Sequence, residues 1–214
     1  MNYGKSNLSR RKKQISSKKK RKKKRVGVRF FKALIICFLL LIVIGAAGVS
    51  IYVKKVIDNT PEVTAKDIMP QGYTTNIVDS NGTLLEQLKD SDSNRVYKKY
   101  DEISPYMGKA FVAIEDERFY KHNGIDIQGI IRAGVNGVAH GFHFTEGAST
   151  LTQQLIKNNV FPNFINESKY QRIERKIQEQ YLALKIEKEM SKEEILEAYM
   201  NTINLGQGCL GVQT

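Results

Sequence analysis

A short stretch at residues 113–126, AIEDERFYKHNGID, concentrates carboxylates beside aromatic side chains. A helix over residues 105–120 would place Phe111 and Phe119 one turn on either side of Glu115. Aromatic neighbours would partly desolvate the Glu115 carboxylate, which disfavours its charged form and suits it to accept a proton as a general base. The same pattern is typical of an exposed acid at the edge of a helix, and the stretch alone leaves both interpretations open.

A second stretch, EGASTLTQQLIKN at residues 146–158, predicts a helix that begins at Ser149 or Thr150 and ends near Val160. Four of its polar residues share one helix face at the spacing i, i+3, i+4, i+7: Thr150, Gln153, Gln154 and Lys157. They form either a hydrogen-bonding surface, beside a helix N-terminus that could attract an anion, or an ordinary solvated face.

A third stretch, RIERKIQEQYLALKIEKE at residues 172–189, belongs to a helix predicted from Ser168 to Lys188. Its charged residues cluster in one sector, which contains Arg172, Arg175, Lys176, Glu179, Ala183 and Glu187. One account is charge pairing along an exposed helix, which contributes only ~0.3–0.5 kcal/mol per pair. The functional account has Arg and Lys side chains binding phosphate while Glu179 faces the reacting group.

The last stretch, ILEAYMNTINLGQGCLG at residues 195–211, predicts a helix followed by a glycine-rich loop. Ser191 and Glu194 have the spacing of a capping box, so the helix should begin there and end near Asn201. A helix C-terminus with permissive turns is a sufficient account of this stretch by itself.

Taken in order, the four stretches resemble the peptidoglycan glycosyltransferase family, which class A penicillin-binding proteins share with monofunctional transglycosylases. The first motif, Glu-Asp-x-x-Phe-x-x-His-x-Gly, is matched by Glu115, Asp116, Phe119, His122 and Gly124. The second is matched from Gly147 through Asn158, with Ala148 where a second glycine is common. The third, Arg-Lys-x-x-Glu, is matched by Arg175, Lys176 and Glu179, and the fourth by residues 195–211. The resemblance covers about residues 73–214.

Two features depart from the family pattern. The segment between Lys157 and Arg175 is longer by several residues, which leaves Arg172 without an assigned role. The chain also stops just after the fourth motif, whereas the family has a fifth motif and further helices. We therefore expect a glycosyltransferase domain whose C-terminal part is missing.

The resemblance implies polymerisation of lipid II into β-1,4-linked glycan strands with release of polyprenyl diphosphate. Glu115 would be the general base, and Glu179 a second catalytic carboxylate near the diphosphate, where a divalent cation such as Mg or Mn, or the nearby bases, would neutralise charge. No organic cofactor is implied. The residues implied to bind substrate are Asp116, Phe119, His122, Gly147, Ser149, Thr150, Gln153, Gln154, Lys157, Asn158, Arg175 and Lys176.

Two other functions are compatible with the same residues. Paired glutamates on a small helical domain also suit a lysozyme-like glycan hydrolase, although such an enzyme would not need the Arg-Lys pair or Lys157. A chain that ends early could instead be an inactive, membrane-tethered binding or scaffold fragment.

These residues require a scaffold that is mainly α. Residues 73–88 predict two short strands around an Asn81-Gly82 turn, and a helical pattern starts at about Ser104. Residues 134–148 hold four glycines together with His140 and His143, and predict a mobile loop in which Phe142 and Phe144 could touch a membrane. The resemblance implies a lysozyme-like α-helical domain with a short β-hairpin.

The N-terminal region predicts a membrane anchor. Residues 1–32 hold 15 of the 34 Lys and Arg residues and no Asp or Glu, so the remainder carries 19 basic against 22 acidic residues. Residues 33–53 form an uncharged run of 21 residues, which as a helix spans about 31 Å, the thickness of a bilayer core. The basic tail would stay in the cytoplasm, with the C-terminal domain outside the membrane.

The predicted organisation is therefore a basic tail at 1–32, an uncleaved signal-anchor helix at 33–53, a stalk at 54–72 and the glycosyltransferase domain at 73–214. Cys37 falls in the apolar run and Cys209 near the far end, so no disulfide framework is expected, which suits a bacterial envelope protein. The expected partners are lipid II, the nascent glycan strand, the cytoplasmic membrane, and cell-wall synthesis and division proteins. Nucleic acid is not among them.

Overall fold

The computed structural model describes residues 5–88, 95–141, 147–161 and 164–213. Most of them are helical, and the described part contains one small antiparallel sheet, which confirms the prediction of a mainly α protein with a short hairpin. The chain divides into two compact units, Met1–Lys55 and Val56–Thr214.

The N-terminal helix α1 spans Lys5–Asp58. Its part from Val28 to Asp58 is long and apolar enough to cross a membrane, judged by length and composition. Large apolar side chains of the predicted span, such as Phe38 and Leu41, are exposed. The orientation and the membrane insertion of this helix stay predictions.

The predicted hairpin is present as strands β1 (Thr75–Val78) and β2 (Leu84–Leu88), which pair antiparallel with a register shift between Ile77 and Val78. The Asp79 carboxylate closes the turn, since it accepts the backbone N–H groups of Asn81 and Thr83, each at 2.8 Å. Gly82 takes a positive φ of 82°, as a glycine in a tight turn can.

Three helices begin at the positions predicted from the sequence, and each follows a residue that caps it. Helix α4 (Leu151–Val160) follows Thr150, whose Oγ1 accepts the N–H of Gln153. Helices α5 (Lys169–Ile186) and α6 (Lys192–Thr202) follow Ser168 and Ser191, each in a complete capping box.

The region around the first motif differs from the prediction. Helix α2 spans Pro105–Glu115 and ends at Glu115, because the next residue, Asp116, takes a non-helical backbone conformation and directs its carboxylate to other elements. The expected continuous helix over residues 105–120 is therefore wrong beyond Glu115.

A further helix, α3 (Ile127–Ala139), occupies part of the segment predicted as a glycine-rich loop. Asp126 caps it by accepting the N–H of Gly129 at 3.0 Å. The loop prediction is wrong for residues 134–139, because each glycine lowers helix propensity by ~1 kcal/mol without forbidding a helix. Phe142, His143 and Phe144 lie outside the described residues.

The core of the second unit surrounds α4, which packs against both α5 and α6. Its largest fully buried apolar side chains are Ile68, Phe119, Leu151, Leu155, Ile156, Leu182, Ile186, Ile195, Leu196, Tyr199 and Met200. Residues before the hairpin also take part: Val63 and Ile68 are buried, and their carbonyls accept hydrogen bonds from Lys185 (3.1 Å) and Asn159 (2.8 Å). The segment between α1 and β1 thus packs on the same core as the helices that carry the motifs.

Candidate active site

Glu115, the last residue of α2, has an exposed side chain that is held by a chain of hydrogen bonds. Nε2 of Gln154 donates to Oε2 of Glu115 at 3.0 Å, and Oε1 of Gln154 accepts from the hydroxyl of Tyr199 at 3.2 Å. Tyr199 is 1% exposed, and burial, with the Glu115 carboxylate nearby, raises the pKa of its phenol, so it remains a donor. A buried anchor on α6 therefore orients the exposed carboxylate through α4.

The expectation that aromatic rings keep Glu115 out of water is wrong. Phe119 is fully buried in the core, because the chain leaves the helix before it, and its ring lies edge-on to His122 with centroids 6.2 Å apart. Phe111 lies edge-on to Tyr199 at 5.5 Å. The aromatic side chains support the framework beneath the site.

Asp116 and His122 form a buried unit that joins the first motif to α4. Both carboxylate oxygens of Asp116 lie near Nε2 of His122, at 2.9 and 3.0 Å, and Oδ2 also accepts the N–H of Leu151 at 3.0 Å. Nδ1 of His122 accepts the N–H of Gly124 at 3.1 Å, which places the ring hydrogen on Nε2. The anion at the N-terminus of α4 is therefore the protein's own Asp116.

Gly124 is the point at which three elements meet. Its carbonyl accepts hydrogen bonds from Thr150 Oγ1 (2.8 Å) and Gln153 Nε2 (3.1 Å), both on buried side chains. Its φ is 100°, and a Cβ would lie 2.7 Å from the backbone carbonyl carbon of Ala183 on α5. Both the backbone conformation and the close approach require glycine.

The predicted polar face of α4 thus divides into two parts. Thr150 and Gln153 point inward to the Gly124 carbonyl. Gln154 and Lys157 are half-buried. Gln154 contacts Glu115, and Lys157 lies over the ring of Phe164. Asn158 is also half-buried, and Gly147 is exposed.

Glu179 lies at the centre of a buried ionic cluster. Its side chain is fully buried; Nη1 of Arg175 donates to Oε1, and Nζ of Lys176 donates to Oε2 at 2.7 Å. Lys176 Nζ also donates to Ser149 Oγ at 2.9 Å, which ties α5 to the stretch before α4. The account of these charges as pairs along an exposed helix is wrong for Arg175 and Glu179, because both side chains are buried.

Lys157 lies beside this cluster, with its Nζ 4.8 Å from the centre of the Phe164 ring. Burial lowers the pKa of Lys157, while the Glu179 carboxylate acts in the opposite direction. Within the described ranges, no carboxylate oxygen lies within the 4.0 Å ion-pair distance of this ammonium group.

A cavity of about 220 Å³ opens next to Glu115, between the end of α2, the start of α3 and residues 147–150. Arg118 and Asp126 form part of its wall, where Arg118 Nε lies 3.0 Å from each carboxylate oxygen of Asp126. Arg118 holds the pKa of Asp126 at about 2. Ser149 and Thr150 also line the cavity, so it is continuous with the residues that contact Lys176 and Gly124.

The side chains around Glu179 differ from those of a site that holds a divalent cation. Both oxygens of Glu179 are engaged by Arg175 and Lys176, and the described residues contain no group of three or more His, Cys, Asp or Glu side chains that could hold a metal. These residues do not fit a protein-held cation, and the charge of Glu179 is instead balanced by the two bases.

Several residues of the site were given no role by the sequence analysis. Tyr199 supports Gln154, Asp126 binds Arg118, and Glu167 and Phe164 contact Arg175. Only Tyr199 carried a usable signal, because it follows Ile195 by one helical turn on the apolar face of α6. The other contacts could not be predicted, because Asp126 and Glu167 bind arginines eight positions away and Phe164 lies in a segment without periodicity.

The profile of the family described as transglycosylase matches residues 81–214. Penicillin-binding protein 1A of Clostridium perfringens (strain 13) is 41% identical over 187 residues, which cover 86% of this chain and 26% of that protein. Penicillin-binding protein 1A of Clostridium novyi is 40% identical over 172 residues, 79% of this chain and 19% of that protein. The protein of the same name from Escherichia coli K12 is 38% identical over 186 residues, 86% and 20% respectively.

The chain therefore spans about a quarter or less of the length of these relatives. The matched region contains all four motifs, together with the ionic cluster and the hydrogen-bond chain to Glu115. This chain belongs to the transglycosylase family, in agreement with the motifs read from its sequence.

Proposed function

We propose that the protein is a peptidoglycan glycosyltransferase that polymerises lipid II, with Glu115 as the general base. The observation that carries the proposal is one exposed, oriented carboxylate on a cavity whose lining residue Ser149 is bonded to Lys176 of the cation cluster. Membership of the transglycosylase family and relatives named penicillin-binding protein 1A support the same reaction class.

In the proposed step, the 4-hydroxyl of the acceptor sugar attacks the anomeric carbon of the donor. The new C–O bond forms as the bond from the anomeric carbon to the diphosphate oxygen breaks, and the hydroxyl proton passes to Glu115. Gln154 keeps the carboxylate aimed at the cavity. Because Glu115 is exposed in the protein alone, the bound sugars must themselves exclude water from it.

The departing lipid diphosphate carries the negative charge that develops in this step. Lys157, Arg175 and Lys176 are the cations placed to neutralise it, and positioned charges of this kind are a large part of catalysis. Glu179 orients two of these cations from beneath and carries no proton in the step. The buried residues of the first motif, Asp116, Phe119 and His122, hold the framework, and their direct contact with substrate stays a prediction.

A membrane anchor is consistent with a lipid-linked substrate. The apolar part of α1 would hold the site near the bilayer surface, which raises the effective concentration of a substrate confined to that surface. We propose a single-pass topology in a bacterial cell membrane, with the basic N-terminus in the cytoplasm.

The test is polymerisation of purified lipid II by the protein expressed from its complete gene. Wild type should produce glycan polymer, and Glu115→Gln should be slower by at least ~100-fold, because a neutral amide cannot accept the proton. Glu189→Gln, which removes an exposed carboxylate outside the site, is the matched control and should keep near-wild-type activity. Full activity of Glu115→Gln would exclude Glu115 as the base, and fragments released from finished glycan would indicate a hydrolase instead.

A further inference from the structure

The turn before α5 carries two side chains that no sequence motif assigned. A short 3₁₀ turn at Phe164–Asn166 leads to Glu167, and Ser168 then caps the helix. This turn lies in the segment between Lys157 and Arg175, that is, between α4 and α5. Both Phe164 and Glu167 reach the cation cluster.

Glu167 occupies one edge of the Arg175 guanidinium. Nε of Arg175 donates to both carboxylate oxygens of Glu167, at 2.7 and 2.9 Å, while Nη1 donates to Glu179. The ring of Phe164 lies 5.6 Å from the guanidinium carbon and also contacts Lys157. Arg175 is thus neutralised by two carboxylates and is 6% exposed.

While Glu167 stays paired with Arg175, the net positive charge of this cluster is smaller than the charge of a departing diphosphate. Lys157, Arg175 and Lys176 are positive and Glu167 and Glu179 negative, so the cluster carries a single net positive charge. A lipid-linked diphosphate carries more negative charge than this, and the Nε–H group of Arg175, a donor suited to phosphate oxygens, is engaged by Glu167.

The two carboxylates differ in how easily they could leave Arg175. The Glu179 side chain is fully buried beneath α5 and is held by both Arg175 and Lys176, so its displacement would leave two cations without their counter-charge. Glu167 lies outside the helix, its side chain is 15% exposed, and a change in a few side-chain torsions would release it. Of these two carboxylates, Glu167 is therefore the one that can exchange with an incoming anion at the smaller cost in buried contacts.

We propose that Glu167 is an internal anion that occupies Arg175 until a diphosphate group displaces it. The inference rests on the proposed function and adds a selectivity step to the same site. An anion must bind more strongly than the tethered carboxylate, so a diphosphate is favoured over a singly charged group. Because displacement occurs on binding, Glu167 should raise KM for the lipid-linked substrate more than it alters kcat.

The decisive measurement is calorimetric binding of inorganic diphosphate to the full chain in detergent. Glu167→Gln should bind diphosphate about tenfold more tightly than wild type, since a neutral amide competes for the Arg175 guanidinium more weakly than a carboxylate does. Glu174→Gln removes the same charge one residue before Arg175 and should change the affinity less than about twofold. Equal or weaker binding by Glu167→Gln, including no measurable binding by either protein, overturns the proposal.

A second measurement uses the wild-type protein and does not depend on the folding of a variant. The Nε–H resonance of Arg175, assigned by its loss in Arg175→Lys, should shift as diphosphate saturates the site, because its acceptor changes. An unchanged resonance at saturation means that Glu167 stays in place and the proposal fails.

These results separate the inference from the function on which it rests. If diphosphate displaces Glu167 but lipid II gives no polymer, the exchangeable anion stands and the glycosyltransferase proposal falls. If lipid II is polymerised and Glu167→Gln binds diphosphate no better than wild type, the reverse holds.

Discussion

Glu115 and Glu179 are the same residue type in opposite surroundings. Glu115 lies at the open end of α2, is exposed, and receives one side-chain hydrogen bond, from Gln154. Glu179 lies in the middle of α5, is fully buried, and receives two charged donors. The first carboxylate is free to gain a proton from a ligand, whereas the second is committed to holding cations in place.

The largest test of this contrast is the free energy of unfolding. Glu179→Gln should lower it by about 3–5 kcal/mol, because Arg175 and Lys176 would lose a buried counter-charge. Glu115→Gln should change it by no more than ~0.5 kcal/mol, since the group is exposed. Chemical denaturation of the two variants measures both values. Similar losses would contradict the assignment of a structural role to Glu179 and not to Glu115.

The adjacent glutamines of α4 extend the comparison. Gln153→Ala should cost about 1–3 kcal/mol of stability, because a donor to the Gly124 carbonyl is lost in a buried place. Gln154→Ala should leave stability within ~1 kcal/mol and lower the polymerisation rate instead, because Glu115 loses its donor. Thermal melting and lipid II turnover of the two variants provide the check, and a reversed pattern would contradict the assignment of inner and outer roles.

Asp126 is a third carboxylate, intermediate between the other two in exposure, and its contribution depends on pH. Arg118 holds the pKa of Asp126 at about 2, below the ordinary value of 3.8. A lowered pKa stabilises the folded state above the unfolded pKa, and that stabilisation is lost as the pH falls from about 4 to 2. The expected loss is ~1–2 kcal/mol after solvent screening is allowed for.

Chemical denaturation of wild type and Asp126→Asn at several pH values between 5 and 2 would measure this pH-dependent loss of unfolding free energy. The variant should lack the part of the pH dependence that belongs to Asp126. Identical pH profiles would mean that the Arg118 pair does not stabilise the wall of the cavity.

The smallest expected effect concerns the hidden anchor of Glu115. Tyr199→Phe keeps the buried ring but removes the hydroxyl that donates to Gln154. The rate of polymerisation should fall about fivefold, on the order of one neutral hydrogen bond. In a double-mutant cycle, the effect should vanish when Gln154 is already Ala; additive effects would show that Tyr199 acts by another route.

The sequence predicted well those elements whose signals are local. The helix starts at Thr150, Ser168 and Ser191 and the Asn81-Gly82 turn depend on hydrogen bonds between residues two to four positions apart, so the local sequence contains the whole interaction. The family motifs also singled out Glu115 and Glu179, whose roles stay predictions; in the structure Glu115 is bonded to Gln154, and Glu179 is paired with Arg175 and Lys176.

The surroundings of these residues could not be predicted in the same way. Whether Phe119 covers Glu115 depends on where α2 stops, and that is decided by hydrogen bonds from Asp116 to residues of a different helix. The burial of Arg175 and Glu179 likewise reverses the ordinary expectation for a charged helix face, because it depends on packing between α4 and α5. Helix α3 was missed because its glycines obscure the apolar spacing of Ile127, Ile131 and Val135.

Gly124 has a consequence for the dynamics of the site. Its carbonyl is bonded to the start of α4 and its Cα rests against the backbone of α5, with no side chain between to absorb a displacement. Close-packed interiors compress little and transmit strain. Thermal displacements of the loop after Glu115 and of the helix that carries Arg175, Lys176 and Glu179 should therefore be correlated, so that the proton acceptor and the cations fluctuate as one body.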